Sequence, residues 1–251
     1  MSIAIITGAS AGLGQAYFRA VRRRHPELSG IWLIARREDR LREMAADCPI
    51  PVTVLPLDLT KDEAYAALSE KLAAEQPTVA VLINNAGLGE LANMADSDVA
   101  TQCRMVDLNC KGLTAVTTAV LPYMEQGGYV LNVASIAAFA PNARMTVYSS
   151  TKAFVLSLSK GLREELKERR VNVLAVCPGP MATEFLAVAN IEGNSKTFTR
   201  LPYCDPQTVA DRSLDAAIAG RATYTPRLFF KFYRVLAKLL PHNVIMPLCK
   251  T

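Results

Sequence analysis

The chain has 251 residues, a length that fits one α/β domain able to bury a sizeable core. Hydrophobic residues make up 51% of it, which excludes a disordered chain. The net charge of +5 is uneven: after Asp215 there are no acids and six basic residues (Arg221, Arg227, Lys231, Arg234, Lys238, Lys250), so the rest nets −1, unlike a globally basic nucleic-acid binder.

The first apolar run, 2–6, reads as a strand. It leads into Thr7-Gly8-Ala9-Ser10-Ala11-Gly12-Leu13-Gly14 and then a helix-like mix over 13–25. Strand, glycine turn and helix together are the setting in which such a loop binds a pyrophosphate. Glycines permit the tight turn, and the helix N-terminus offers free N–H donors and a positive dipole end. The spacing is Gly-x-x-x-Gly-x-Gly; taken alone it is also compatible with a plain glycine turn. The second strand, 31–35, ends in Arg36-Arg37 with no preceding acid, and a helix is expected over 37–47.

A third strand, 52–57, precedes Asp58-Leu59, and a helix follows over 61–75. Asp58 reads locally as a capping acid before Thr60. The strand 79–83 runs into Asn84-Asn85-Ala86-Gly87. Gly87 permits close approach of a ligand, and the asparagines can tie neighbouring strands together. This turn stands at a strand's carboxyl end, where ligands bind in parallel sheets. One long helix is expected over 97–126, with Asn109 inside Asp107-Leu108-Asn109.

The strand 128–134 ends at Ser135, whose hydroxyl can hold a carbonyl oxygen or serve only as a turn residue. Thirteen residues on comes Tyr148, four before Lys152, at the start of a helix over 149–169. At that spacing the two side chains share a helix face. An ammonium near a phenol lowers the tyrosine pKa from about 10 toward neutrality. Such a tyrosine can give or take a proton. The last strand, 171–177, turns at Pro178-Gly179-Pro180, with Thr183 just beyond.

Alternating strands and helices imply a parallel sheet with helices on both faces. The expected fold is α/β, a three-layer doubly wound parallel sheet (a Rossmann fold), in one domain over 1–251. Residues 181–204 break the pattern and read as a mobile substrate-loop insertion. The six cysteines are scattered without a Cys-x-x-Cys, which indicates reduced thiols. With His25 and His242 alone, no metal site is expected. The first strand starts so early that no signal peptide is expected, and no apolar run is long enough for a membrane span. A cytoplasmic location follows.

Residues 221–251 form a basic apolar tail. Arg227, Lys231, Arg234 and Lys238 make one helical stripe among Leu228, Phe229, Phe230, Phe232, Tyr233, Val235, Leu236, Leu239 and Leu240, and Pro241 stops the helix. Such a segment can lie on an anionic membrane surface. The favoured expectation is that 227–248 buries its apolar face against protein, either a second subunit or the roof of the cleft.

The ordered set over roughly residues 1 to 185 resembles the short-chain dehydrogenase/reductase family. It comprises the Thr7–Gly14 loop, Asp58-Leu59, Asn84–Gly87, Asn109, Ser135, Tyr148, Lys152, Pro178-Gly179-Pro180 and Thr183. The resemblance implies an NAD(P)-dependent oxidoreductase. It places Thr7, Gly8, Ser10, Gly12, Leu13 and Gly14 on the cofactor phosphates. Asp58 and Leu59 border the adenine, and Asn85, Ala86 and Gly87 border the adenosine ribose. Asn109 bends its helix and holds a water beside Lys152. Pro178, Gly179 and Thr183 fix the nicotinamide, and Lys152 holds its ribose. Homo-oligomers, dimers or tetramers, are common in the family.

An arginine suits a 2′-phosphate, because its planar fork combines charge with several donors. The reading is therefore NADP(H) over NAD(H), with Arg36 as first contact and Arg37 and Arg40 behind it. The alternative is that Arg36-Arg37 merely open a solvated helix. In the implied reaction hydride passes to a carbonyl carbon while Tyr148 protonates the oxygen that Ser135 also holds. Leu88, Ala137, Phe139, Met181 and Phe185 flank the motifs and favour a small lipophilic carbonyl or alcohol substrate. The flavour is that of broad-specificity carbonyl, 3-oxoacyl and hydroxysteroid reductases. Two other readings are a non-catalytic NADP(H)-binding regulator and a peripheral membrane module acting through the tail.

Overall fold

The computed structural model describes residues 2–249. Seven strands form one sheet: β1 Ser2–Thr7, β2 Gly30–Ile34, β3 Val52–Leu55, β4 Thr78–Asn84, β5 Met124–Val133, β6 Asn172–Val176 and β7 Thr223–Tyr224. All pairings are parallel, in the order β3-β2-β1-β4-β5-β6-β7. The order reverses beside β1, so a crevice opens between the carboxyl ends of β1 and β4.

The helices are α1 Gly12–Arg24, α2 Glu38–Ala46, α3 Asp62–Glu75, α4 Val99–Val106, α5 Leu113–Val120, α6 Thr146–Glu165, α7 Glu184–Val188, α8 Lys196–Arg200, α9 Pro206–Ile218, α10 Leu228–Leu239 and α11 His242–Ile245. The sheet divides its side chains with a period of two. Ala4, Ile6, Ile31, Leu33, Leu131 and Leu174 pack with Tyr17 and Phe18 of α1 and Leu214 of α9. Ile3, Ile5, Trp32, Val130 and Val173 pack on the other face with Leu68 and Leu72 of α3, Val116 and Val120 of α5 and Leu162 of α6. Burial on both faces explains why the strands read as unbroken apolar runs. Two layers of helix around one parallel sheet make the expected single Rossmann-type α/β architecture.

Three elements depart from the sequence reading. The helix expected over 97–126 is broken. A π-helical stretch, Asp107–Gly112, separates α4 from α5, and α5 stops at Val120. Pro122 lies in a 3₁₀ turn, Leu121–Tyr123, and cannot continue the ladder, so β5 already begins at Met124. The turn at Gly112 is tight: a Cβ there would stand 2.6 Å from the Leu59 carbonyl oxygen. Second, α9 and β7 extend the fold beyond 177; Asp205 caps α9 by accepting from Thr208 N–H. Third, 181–204 carries two short helices, α7 and α8, and a bridge between Met181 and Cys204 ties its ends. Among the described residues no helix is long and apolar enough to cross a membrane. Cys48, Cys103, Cys110, Cys177 and Cys204 are free.

Candidate active site

A cleft of about 550 Å³ opens over the carboxyl ends of the strands. Its floor begins at the glycine loop. Gly8 and Gly12 have φ of +63° and +50°, the left-handed region that glycine enters without strain. Gly14 is required for a different reason: a Cβ there would stand 2.1 Å from the Gly8 carbonyl oxygen. The N-cap of α1 is Ala11, which offers no side-chain acceptor, so first-turn N–H groups face the cleft uncapped. That is a fit for a phosphate-bearing ligand.

Thr7 stands behind this loop and does not line the cleft. Its hydroxyl accepts from the N–H groups of Asn85 at 3.0 Å and Ala86 at 3.1 Å, locking β1 to the turn after β4. Asn85 donates to the carbonyl oxygens of Thr7 and Gly8. Asn84 donates to Thr117 Oγ1 and to Asn132 Oδ1, both at 2.9 Å, which ties β4 to α5 and β5. Asn85, Ala86 and Gly87 therefore reach the cleft on a braced turn.

At the end of β2, Arg36 is exposed and lines the cleft. It makes no hydrogen bond or ion pair among the described residues. Arg37 and Arg40 are engaged: both pair with Glu184 of α7, Arg37 at 2.8 Å and Arg40 at 2.5 Å, and Arg37 also donates to Ser10. The two arginines hold the Glu184 carboxyl below the usual carboxylate range. This clasp joins the β2 end to the segment 181–204 across the cleft. The sequence carried no sign of Glu184, because nothing in its spacing links it to Arg37 or Arg40.

Asp58 corrects the expectation of an adenine contact. It does not line the cleft, and its carboxylate accepts from Thr60 N–H at 3.1 Å and Thr60 Oγ1 at 2.8 Å. Asp58 closes a local turn and does not cap α3, whose N-cap is Lys61 without a side-chain bond, while Leu57, Leu59 and Thr60 form the wall.

Tyr148 and Lys152 project from the first turns of α6, both buried. The Ser135 hydroxyl lies near the Tyr148 phenol, close enough to lower its pKa, and accepts from Ala137 N–H at 3.1 Å. Ile136 N–H donates to Pro178 O, so the turns after β5 and β6 brace one another. Lys152 Nζ donates to Val133 O at 2.9 Å and lies 5.8 Å from the Tyr148 ring centre.

The expected depression of the tyrosine pKa is not found in this arrangement. Burial pushes Tyr148 up to about 12, opposed by the nearby Ser135 hydroxyl. Burial pushes Lys152 down to about 8. The ammonium donates to a carbonyl rather than to the phenol, and desolvation dominates the shift of both groups. The phenol is therefore protonated at neutral pH.

Asn109 sits in the π-helical stretch, buried. Its Oδ1 accepts from Leu88 N–H at 2.8 Å, and its Nδ2 donates to Leu88 O at 2.8 Å and Thr151 Oγ1 at 3.0 Å. Its side chain thus clamps the Leu88 backbone onto α6 and makes no hydrogen bond to Lys152. Gly87 keeps the gap open: a Cβ there would stand 3.2 Å from Lys152 Nζ and 3.4 Å from Asn109 Oδ1.

Beyond the tyrosine the cleft is apolar. Leu88, Ala137, Met181 and Phe185 line it, and the Phe185 ring lies 5.7 Å from that of Tyr148. Phe139 corrects the expected pocket. It turns away from the cleft, packs near Leu113 and Val155, and meets the Tyr233 ring at 6.0 Å. Its place is taken by Phe198 of α8, Leu201 just after it, and Phe230 and Tyr233 of α10. Phe230 is fully buried against Gly179, where a Cβ would stand 2.2 Å from its ring. One face of α10, carrying Phe230 and Tyr233, therefore roofs the cleft, while Phe229, Phe232 and Leu240, expected to be buried with Phe230, stand exposed in this chain. Pro178, Gly179 and Thr183 line the wall below it.

Comparison with known proteins places this geometry. Residues 2–192 match the family model of short chain dehydrogenases. An uncharacterized oxidoreductase of Staphylococcus aureus (strain MRSA252) is 31% identical over 217 residues, covering 85% of this chain and 90% of that protein. Among solved structures, a short-chain dehydrogenase from Sphingobium yanoikuyae in complex with NADPH is 29% identical, with TM-score 0.80 over 96% of this chain and 97% of that one. A bulky-bulky ketone specific alcohol dehydrogenase from Comamonas testosteroni is 28% identical, with TM-score 0.75 over 96% and 95%.

Proposed function

Because the chain belongs to the short-chain dehydrogenase family of oxidoreductases, we propose that it is an NADPH-dependent reductase of lipophilic carbonyl compounds, with Tyr148 as proton donor. One observation carries the reading. Ser135, Tyr148 and Lys152 converge where a polar half of the cleft, built on the α1 N-terminus and Arg36, meets an apolar half walled by Leu88, Met181, Phe185 and Phe230.

The cradle fits a nicotinamide dinucleotide. Gly8, Gly12 and Leu13 would hold its pyrophosphate, and Ser10 braces that loop through Arg37. Arg36 supports a 2′-phosphate, since it is the cleft-lining cation at the β2 end that makes no hydrogen bond or ion pair among the described residues. Asn85, Ala86 and Gly87 would border the adenosine ribose, Leu59 the adenine, and Lys152 the nicotinamide ribose. Pro178, Gly179 and Thr183 would position the ring. The bound cofactor supplies the hydride.

The chain's own residues do the rest. Ser135 and Tyr148 donate hydrogen bonds to the substrate oxygen, stabilising charge where it develops. Tyr148 carries the proton to be given. Its raised pKa suits this role, because the phenol is in its acid form across the physiological range, and burial opposes the phenolate that alcohol oxidation would need. Asn109 holds Leu88 and α6 in register, which fixes the distance between the apolar wall and the phenol. The apolar roof excludes water and favours a lipophilic substrate, in keeping with the ketone-specific neighbour. A panel of aliphatic, aromatic and steroidal ketones, followed by NADPH absorbance, tests the reading. Turnover confined to sugars or other polar carbonyls, or faster turnover with NADH, would count against it.

A further inference from the structure

The roof explains only one face of α10. Phe230 and Ala237 point into the protein. Leu228, Phe232, Val235 and Leu239, at spacings i, i+4, i+7 and i+11, fall on the opposite side. They are well exposed: Leu228 82%, Phe232 63% and Leu239 73%. Beyond Pro241, Val244 and Met246 are exposed as well. Scattered exposed apolar residues are ordinary, but a contiguous row along one helix marks a contact surface.

Charge says what it contacts. Lys231, Arg234 and Lys238 run along one flank of this row, all exposed, and none pairs with an acid among the described residues. Arg227, at the head of the stripe, donates to Tyr203 O. No acid follows Asp215; Lys250, the last of the six basic residues, lies outside the described residues. A second copy docked antiparallel by this face about a two-fold axis would bring like-charged stripes together, and in either orientation α10 carries no acid to pair with them. An apolar row bordered by lysine and arginine matches instead the interface of an anionic bilayer, with the row among the acyl chains and the cations at the headgroups.

We infer that the outer face of α10, with Val244 and Met246 beyond it, docks this protein on an anionic lipid surface. Phe229 is exposed yet lines the cleft, and Tyr233 lines it one turn further on. Docking would therefore set the cleft mouth at the membrane, and, on the reductase reading above, a lipophilic carbonyl compound would enter from the bilayer.

Vesicle sedimentation tests the docking without any turnover, so its outcome is separate from that of the proposed reaction. The full chain is spun with vesicles of phosphatidylcholine carrying about one-third phosphatidylserine, and with phosphatidylcholine alone. Binding is expected on the anionic vesicles and is expected to fall steeply as salt rises toward about 0.5 M. Each basic residue at such a surface contributes about fivefold in affinity, so Lys231→Glu with Lys238→Glu should cost at least roughly thirtyfold. Phe232→Ser with Leu239→Ser should abolish pelleting while leaving the melting temperature and NADPH binding unchanged, since both side chains are exposed. The inference is overturned if the wild-type protein stays in the supernatant with anionic vesicles, or if the folded serine double variant pellets as the wild type does. It is also overturned if light scattering shows a dimer that this variant splits while neither protein pellets.

Discussion

Arg36→Ala isolates the contact proposed for the 2′-phosphate. The side chain is exposed and makes no hydrogen bond among the described residues, so its loss leaves the fold and the Glu184 clasp intact. A hydrogen bond to a charged group contributes about 1.5–3 kcal/mol. Exposure places Arg36 at the low end, about 1.5 kcal/mol, or about tenfold in Kd. Arg37 and Arg40 are held by Glu184 and can compensate only by giving up that carboxylate. Fluorescence titration with NADPH and NADH gives both constants on one sample. The expected result is an about tenfold weaker NADPH complex and an NADH complex within about twofold of wild type. Equal losses for both cofactors would refute the reasoning and give Arg36 a structural role. A wild-type preference for NADH would refute the cofactor assignment itself.

Glu184→Gln should act in the opposite direction: releasing Arg37 and Arg40 should tighten NADPH by up to about fivefold, the range of an exposed ion pair, and leave NADH alone, as the same titration reads. Phe230→Ala removes a fully buried ring and should cost about 3–5 kcal/mol in urea denaturation; a loss under about 1 kcal/mol would mean that α10 does not pack as a roof. The pH profile of kcat/KM for NADPH should fall as pH rises through about 8, where buried Lys152 loses its proton and with it the charge proposed to hold the ribose. The sign for stability is opposite. The folded pKa of Lys152 lies below the ordinary lysine value of 10.5, so the folded form gains relative stability between about pH 8 and that value. A flat kcat/KM profile across that range would remove Lys152 from cofactor binding.

Much of the site could be read in the sequence because its chemistry is local. The glycine loop, Ser135 and the Tyr148/Lys152 pair each sit where a strand or helix end dictates their direction, and spacing along the chain carries that information. Contacts between distant segments were not legible. Glu184 meets Arg37 and Arg40 only because the segment 181–204 folds back over β2. Phe139 flanks Ser135 in sequence, yet the 3₁₀ turn Ile136–Ala138 rotates it away toward Tyr233. The apolar pattern over 97–126 shows no break, but the resemblance implied a bend at Asn109, and the π-helical stretch Asp107–Gly112 lies there; the clamp on Leu88 was not legible. The sign of the Tyr148 shift was also missed. Proximity in sequence suggested an ion-stabilised phenolate, whereas burial of both groups and the Val133 carbonyl decide the matter in space. The tail was read as a buried face with a basic edge, but it has two apolar faces, and only the sheet's packing shows which one is covered.

The central claim is that Tyr148 delivers the proton in an NADPH-driven carbonyl reduction. It is tested most directly in a single-turnover experiment comparing wild type with Tyr148→Phe, using deuterated NADPH and a ketone the wild type reduces. The substitution removes one hydroxyl from a buried ring, so packing and NADPH affinity should be preserved. The account predicts deuterium on the carbinol carbon with wild type, and a rate at least about a hundredfold lower with the variant at saturating cofactor, the scale of a positioned general acid. Near-normal deuterium transfer by a Tyr148→Phe protein with unchanged NADPH affinity would contradict it.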